Sequence, residues 1–330
     1  MTDLVTGGAG FIGSRLVARL LRGGGAVRVL DLDADAPLPD GVERIVGSAA
    51  DRETLRRAMA GVGRVFHAAG NPRLWARRNA DFMAANLDTT RAVLDEAARA
   101  GVARIVFVST AAIHFAPRSG GAAPGLDDMP GGYTRSKFHA ERAALDAAAN
   151  GLPVAVVNPC LPLGAGDRNL TPPTRMLLDF VDGATPAFLD FELRIVDVGD
   201  LAEACIRAAE RGAPGERYFL GGPPLRLSEL LAMAGRIAGL EMPRRRVPYA
   251  LALAAASVSG MAARIAGREP RAPLEGVRLT GRPPAPGALR TAADLGLALR
   301  PVEETLAEAL AWLAEQGLAK RRFSVARPAR

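Results

Sequence analysis

The chain has 330 residues, 49% hydrophobic and 23% charged, enough apolar side chain for a full core and too much for a largely disordered protein. Its formal net charge is +7, but arginine carries the excess, with Lys137 and Lys320 the only lysines, so no nucleic-acid partner is expected. Two cysteines, Cys160 and Cys205, exclude a disulfide framework and lack metal-ligand spacing, so no metal is expected and a reducing cytoplasm fits. The first apolar run is broken by Gly7, Gly8, Gly10 and Gly13 and has no basic leader, which argues against export.

Short apolar runs alternate with helix-length amphipathic stretches through the first two hundred residues, the pattern of strand, helix, strand units in a parallel sheet. Strands are predicted at residues 4–6, 27–30, 64–68, 105–109 and 154–157, with a further one ending before Gly47. Residues 133–149 read as a helix closed by Asn150 and Gly151. After Asn158-Pro159, prolines and glycines become frequent, and residues 172–183 look like an excursion from the sheet. Residues 193–198, with a helix at 199–211, look like a return to the main layer. From Tyr218 a strand, a helix with Ser228 as candidate N-cap and a Pro-rich stretch at Pro283 to Pro286 suggest a smaller lobe. No internal repeat is seen.

Thr6-Gly7-Gly8-Ala9-Gly10-Phe11-Ile12-Gly13 follows the first strand and opens a helix. Glycine there lets the chain turn tightly and a pyrophosphate approach the backbone, while the helix N-terminus offers free N–H groups and a favourable dipole. The second strand ends at Asp31, placed to bond ribose hydroxyls and to repel a 2′-phosphate, so NAD is expected over NADP. Asp31 as a simple turn residue is the alternative, and Arg28 keeps NADP as a minority reading. The fold class is therefore α/β: a Rossmann doubly wound parallel sheet with a smaller, mainly C-terminal substrate-binding lobe. Residues 1–170 and 187–212 are assigned to the NAD-binding domain. Residues 171–186 and 213–330 are assigned to the lobe, with a basic tail that includes Lys320, Arg321, Arg322, Arg327 and Arg330.

Tyr133 and Lys137 stand four apart on the predicted helix and share one face. A phenol with a pKa near 10 exchanges protons at neutral pH only if a neighbouring cation stabilises its phenolate, and Lys137 can supply that cation. The fifth strand ends in Val108-Ser109-Thr110, which puts two hydroxyls at the carboxyl edge of the sheet. One of them is expected to hydrogen-bond a substrate oxygen: Thr110, with Ser109 as the alternative.

Together with Phe66-His67-Ala68-Ala69-Gly70, Asn86-Leu87-Asp88-Thr89-Thr90 and Tyr133-Thr134-Arg135-Ser136-Lys137, the glycine motif resembles the extended short-chain dehydrogenase/reductases, within the NAD-dependent epimerase/dehydratase family. The resemblance implies Thr110, Tyr133 and Lys137 as the catalytic triad. It implies cofactor contacts at Gly7, Gly10, Phe11, Ile12, Gly13, Asp31, Leu32, Ser48, Ala49, Ala68, Ala69, Gly70, Asn86, Val108 and Pro159, besides Tyr133 and Lys137. Asn86 is either an anchor for backbone beside the site or a helix N-cap.

A narrower resemblance, carried by the segment from Asn158 to Met176, is to the hopanoid-associated sugar epimerase group, close to dihydroflavonol-reductase-like enzymes. Nucleotide-sugar enzymes of this superfamily carry arginine where this chain has Asn158 and often asparagine near Leu161, departures that speak against a nucleotide-sugar substrate. Relatives usually place an aspartate at Ser48, and sugar-modifying relatives often a tyrosine at His114. The expected substrate is a small molecule: an apolar or isoprenoid, hopanoid-related alcohol or ketone. A sugar epimerase or dehydratase with tightly held NAD is the alternative. A homodimer is the expected assembly.

The stretch from Val247 to Ala263 has no charged residue and is bracketed by Arg244, Arg245, Arg246 and Arg264. It is too short and too dilute to span a membrane comfortably. A buried or pocket-covering helix is expected, with peripheral membrane contact as the alternative.

Overall fold

A computed structural model describes residues 1–116, 123–282 and 289–325. The Pro-rich stretch at Pro283 to Pro286 and the tail residues Arg327 and Arg330 lie outside the described residues. The first half alternates strand and helix: β1 (Thr2–Thr6), α1 (Phe11–Arg22), β2 (Ala26–Asp31), β3 (Val42–Val46), α2 (Arg52–Met59) and β4 (Val62–His67). Next come α3 (Asn79–Phe82), a π-helical turn (Met83–Asp88), α4 (Thr89–Ala100), β5 (Arg104–Val108), α5 (Gly132–Ala149) and β6 (Val154–Pro159).

The second half is built from shorter pieces. They are β7 (Leu161–Leu163), α6 (Pro172–Val181), β8 (Ala187–Phe188), β9 (Glu192–Leu193), β10 (Ile195–Asp197), α7 (Val198–Arg211) and β11 (Arg217–Leu220). Then follow β12 (Leu225–Arg226), α8 (Leu227–Ala238), β13 (Arg245–Arg246), α9 (Tyr249–Ala266), α10 (Leu274–Thr280), β14 (Arg290–Thr291) and α11 (Val302–Glu315).

Eight strands form one parallel sheet in the order β14-β11-β6-β5-β4-β1-β2-β3. This is the doubly wound arrangement, in which ligands bind at the carboxyl ends of the strands where the order reverses. Strands covered on both faces need continuous apolar runs, and Leu4, Val5, Val65, Phe66, Val106, Val156 and Val157 are all fully buried. On one face Leu16, Val17 and Leu20 of α1 pack with Leu201, Cys205 and Ala208 of α7. On the other, Leu55 and Met59 of α2 join Val93 and Ala97 of α4 and Ala140 and Ala144 of α5. A third core, under the smaller lobe, gathers Leu177, Phe180, Leu227, Leu231, Leu306 and Leu310.

Four expectations are corrected. The return expected at residues 193–198 does not enter the large sheet: β9 pairs with β12 and β10 with β7, and only α7 packs back against α1. The sheet is extended instead by β11 and β14, so residues 217–220 and 290–291, assigned to the lobe, belong to the sheet. Tyr218, Phe219 and Leu220 are the apolar run that a strand covered on both faces requires, and all three are buried. Ser228 does not cap α8, which begins one residue earlier; its N–H and hydroxyl donate to the Asp190 carboxylate at 3.0 and 3.1 Å.

The apolar stretch forms α9, but its expected burial does not occur. Only Ala256 and Ala263 are buried, and no α9 side chain belongs to any of the three cores. Alanine supplies much of its apolar character, and its larger side chains Leu251, Val258, Met261 and Ile265 face outward.

Candidate active site

The glycine turn joins β1 to α1 at the carboxyl edge of the sheet. Gly7 has φ +71°, a left-handed conformation, and a Cβ there would lie 2.7 Å from the Ala69 backbone. A Cβ on Gly13 would lie 2.1 Å from the Gly7 carbonyl oxygen, so both positions exclude a side chain where backbones meet. No side chain caps α1, and its first turn holds no acidic residue. The first-turn N–H groups of Phe11, Ile12 and Gly13 therefore have neither an intrahelical nor a side-chain acceptor, the arrangement that suits a phosphate.

Asp31, at the end of β2, is held beside this turn: its carboxylate accepts from Ala9 N–H at 2.9 Å and from Asp33 N–H at 3.1 Å. Arg28 turns away, ion-paired to Glu43 at 2.8 Å and donating to the Ala58 and Ala60 carbonyls at 2.7 Å each. The one arginine that kept a 2′-phosphate in consideration is thus occupied elsewhere. Leu32 is exposed, and Ser48 Oγ accepts from Ala50 N–H at 3.1 Å. Ala49 is buried in the core against α2 and α4, leaving only its backbone for any ligand contact.

Behind Ala68, Ala69 and Gly70, Asn86 ties two segments together. Its Oδ1 accepts from Asn71 N–H at 2.8 Å, and its Nδ2 donates to Asn71 O at 3.3 Å and Ser136 Oγ at 2.8 Å. It caps no helix; it lies within the π-helical turn, a feature common at functional sites. Gly70 must be glycine here, because a Cβ would sit 2.7 Å from Asn86 Oδ1. Below, His67 is buried between Thr6 Oγ1 at 2.7 Å and Thr90 Oγ1 at 3.0 Å. Thr90 gives its proton to Asn86 O, so it accepts from His67 Nε2–H and Thr6 donates to Nδ1. Burial and the nearby Lys137 charge push the His67 pKa down to about 3, consistent with a neutral structural ring.

Thr110, Tyr133 and Lys137 come together where β5 meets α5. The Thr110 hydroxyl lies beside the Tyr133 phenol and accepts from Ala112 N–H at 3.2 Å, whereas Ser109 faces Glu141. Burial pushes the Tyr133 pKa up to about 12; Thr110 pulls it down and the Glu275 carboxylate raises it. Lys137 shares the face its spacing implies, but its ammonium donates to Val108 O at 2.8 Å and lies 4.6 Å from the Phe107 ring centroid. Burial pushes the Lys137 pKa down to about 8, with Glu141 acting in the opposite sense. Desolvation dominates at Tyr133, and the Lys137 ammonium, turned to the strand end, is not among the groups that lower the phenol's pKa, contrary to the expectation from spacing.

Glu275, from α10 of the smaller lobe, was invisible to sequence reasoning. Its carboxylate accepts from Tyr133 N–H at 3.1 Å, Thr134 N–H at 2.7 Å and Thr134 Oγ1 at 2.7 Å. It caps the helix that carries Tyr133 and Lys137 and places a negative group at its positive end. Burial nonetheless raises its pKa. A Cβ on Gly131 would lie 2.2 Å from Glu275 Oε2, so glycine makes room for this cap. Nothing at fixed spacing in the sequence marks such a contact.

One turn beyond Lys137, Glu141 anchors a buried polar cluster. It accepts from His114 Nε2 at 3.0 Å and Asn158 Nδ2 at 2.6 Å. Burial alone would raise its pKa, but these partners outweigh burial and hold it below the usual carboxylate range. Asn158 Nδ2 also donates to Thr110 O at 3.3 Å, bracing the strand end beside the Thr110 hydroxyl. Pro159 closes the same edge at the end of β6.

The family model described as NAD dependent epimerase/dehydratase family matches residues 4–221. A putative dihydroflavonol 4-reductase of Synechocystis sp. is 33% identical, covering 96% of this chain and 95% of that protein. Sterol demethylase protein B of Methylococcus capsulatus is 30% identical, covering 96% of this chain and all of its own length. The solved structure of gox2253 is similar at a TM-score of 0.81 and 32% identity, covering 97% of this chain and 99% of that one.

Proposed function

The chain belongs to the NAD dependent epimerase/dehydratase family, and from that premise we propose that it is an NAD-using oxidoreductase acting on a secondary alcohol or ketone of an apolar, isoprenoid-like substrate. The observation that carries this reading is the meeting of Thr110, Tyr133 and Lys137 beside an uncapped helix N-terminus. Gly7, Gly10 and Gly13 give the dinucleotide backbone access, the α1 N-terminus takes its pyrophosphate, and Asp31 takes its adenosine ribose. NAD bound there supplies the hydride acceptor or donor.

The Tyr133 phenol, beside Thr110, exchanges the proton with the substrate oxygen, giving it when a ketone is reduced and taking it when the alcohol is oxidised. Thr110 orients that oxygen, and Lys137 Nζ, at the Val108 carbonyl, is placed to hold a ribose hydroxyl. Asn158 supports an apolar substrate over a nucleotide sugar, because it brings no cation to this edge and its amide NH2 is committed to Glu141 and Thr110. The sterol named in the Methylococcus relative supports the same class.

The test is to release any nucleotide from the purified protein by denaturation, identify it by mass, and follow NADH consumption with a panel of sterol-like and prenylated ketones. Exchangeable NAD and stoichiometric oxidation of NADH are expected. NAD retained through purification, with no net redox on any ketone, would overturn this reading in favour of epimerisation.

A further inference from the structure

We propose that the outward face of α9 is a docking surface for an anionic phospholipid bilayer, on which the helix lies flat. At 100° per residue, Leu251, Ala254, Ala255, Val258, Met261, Ala262 and Ile265 fall within an arc of about 120°, a continuous apolar stripe. All are exposed, Val258 at 68%, Met261 at 66% and Ile265 at 86%. Isolated exposed apolar residues are ordinary, but a contiguous stripe along one helix marks an interaction surface. The opposite face holds the buried Ala256 and Ala263 and packs against α10.

Charge selects the occupant. Between Met242 and Arg268 there is no acidic residue, while Arg244, Arg245, Arg246, Arg264 and Arg268 flank the helix at both ends. Among the described residues only Arg246 of these five has an ion pair, to Asp190 at 3.4 Å, and it stays largely exposed. An apolar stripe framed by arginines complements anionic headgroups over acyl chains. Two-fold pairing of this face with a second copy would set Arg264 and Arg268 against Arg244, Arg245 and Arg246, juxtaposing like charges.

Both ends of the helix stay in the fold, which fits a helix lying along the surface better than one crossing it. β13 pairs with β8 just before α9, and Val247 N–H donates to Phe188 O at 2.8 Å. At the other end, just past Gly267, Glu269 ion-pairs with Arg73 at 2.7 Å and Pro270 is buried. Eighteen residues rise about 27 Å, at the short limit for a hydrocarbon core. α10 links the docked helix to the catalytic one through Glu275, so the bilayer would lie one helix away from the machinery that holds Tyr133.

The test is co-sedimentation of the full chain with phosphatidylglycerol or phosphatidylcholine vesicles, using wild type, Val258→Glu/Ile265→Glu and Arg244→Glu/Arg245→Glu. Wild type should bind phosphatidylglycerol, and either double variant or phosphatidylcholine should weaken binding by roughly tenfold or more. These positions are exposed, so NAD binding and the circular dichroism of the variants should match wild type. Absence of binding to phosphatidylglycerol, or binding that both double variants retain, overturns the proposal. A lipid-free dimer in sedimentation velocity that Val258→Glu/Ile265→Glu dissociates also overturns it, assigning the face to a second copy. Tyr133→Phe should bind vesicles like wild type, which separates this result from the fate of the oxidoreductase reading.

Discussion

Replacing Lys137 by methionine should make the protein more stable at neutral pH while disabling it as an enzyme. The Lys137 side chain is buried and its pKa falls from 10.5 to about 8, chiefly through desolvation. Holding it charged at about pH 7 therefore costs about 3 kcal/mol. Methionine follows the lysine stem without the charge, but loses the bond to Val108 O, worth about 1–2 kcal/mol. The net expectation is a gain of about 1–2 kcal/mol at about pH 7.

The pH dependence gives the sharper test. Between about 8 and 10.5 the unfolded chain binds the proton that the folded chain has released, so wild-type stability rises with pH across that window. The variant's advantage should be full below about pH 8 and fade toward 10.5. Urea denaturation of both proteins across this range reads the difference. A variant less stable than wild type by the same margin at every pH would refute the argument, because the ammonium would then carry no burial penalty.

Glu275→Ala should remove the cap on α5 and cost about 1–2 kcal/mol in urea denaturation. It should also lower kcat more than it raises KM, with Glu275→Gln recovering part of both. Asp31→Ser removes the carboxylate beside the glycine turn; titration of both nucleotides should show the preference for NAD over NADP narrowing by roughly tenfold or more. An unchanged preference would mean that Asp31 does not face the ribose.

The elements legible in the sequence were those whose chemistry is local. The glycine turn, Asp31 at a strand end and the Tyr133 to Lys137 spacing are each specified by a few neighbouring residues, and the structure puts them along one sheet edge. What was missed depends on contacts distant in sequence. Glu275 reaches Tyr133 across 142 positions. β7 and β10 have three residues each, too few for any period to show.

The direction of the Lys137 ammonium depends on where the Val108 carbonyl ends up, which helical spacing cannot supply. The apolar content of α9 suggested burial because composition records how apolar a helix is and not which side its large residues occupy. Periodicity could have shown that Leu251, Val258, Met261 and Ile265 share a face, but not that this face would be the outer one.

The most direct measurement on the central claim is a comparison of Tyr133→Phe with wild type, pairing NADH affinity by fluorescence titration with single-turnover transfer of deuteride from labelled NADH to a ketone that wild type reduces. The phenol's proton is predicted to be indispensable: affinity within about threefold of wild type, and transfer slowed by at least about a hundredfold. Transfer at the wild-type rate would contradict the account and take the proton-donating role away from Tyr133.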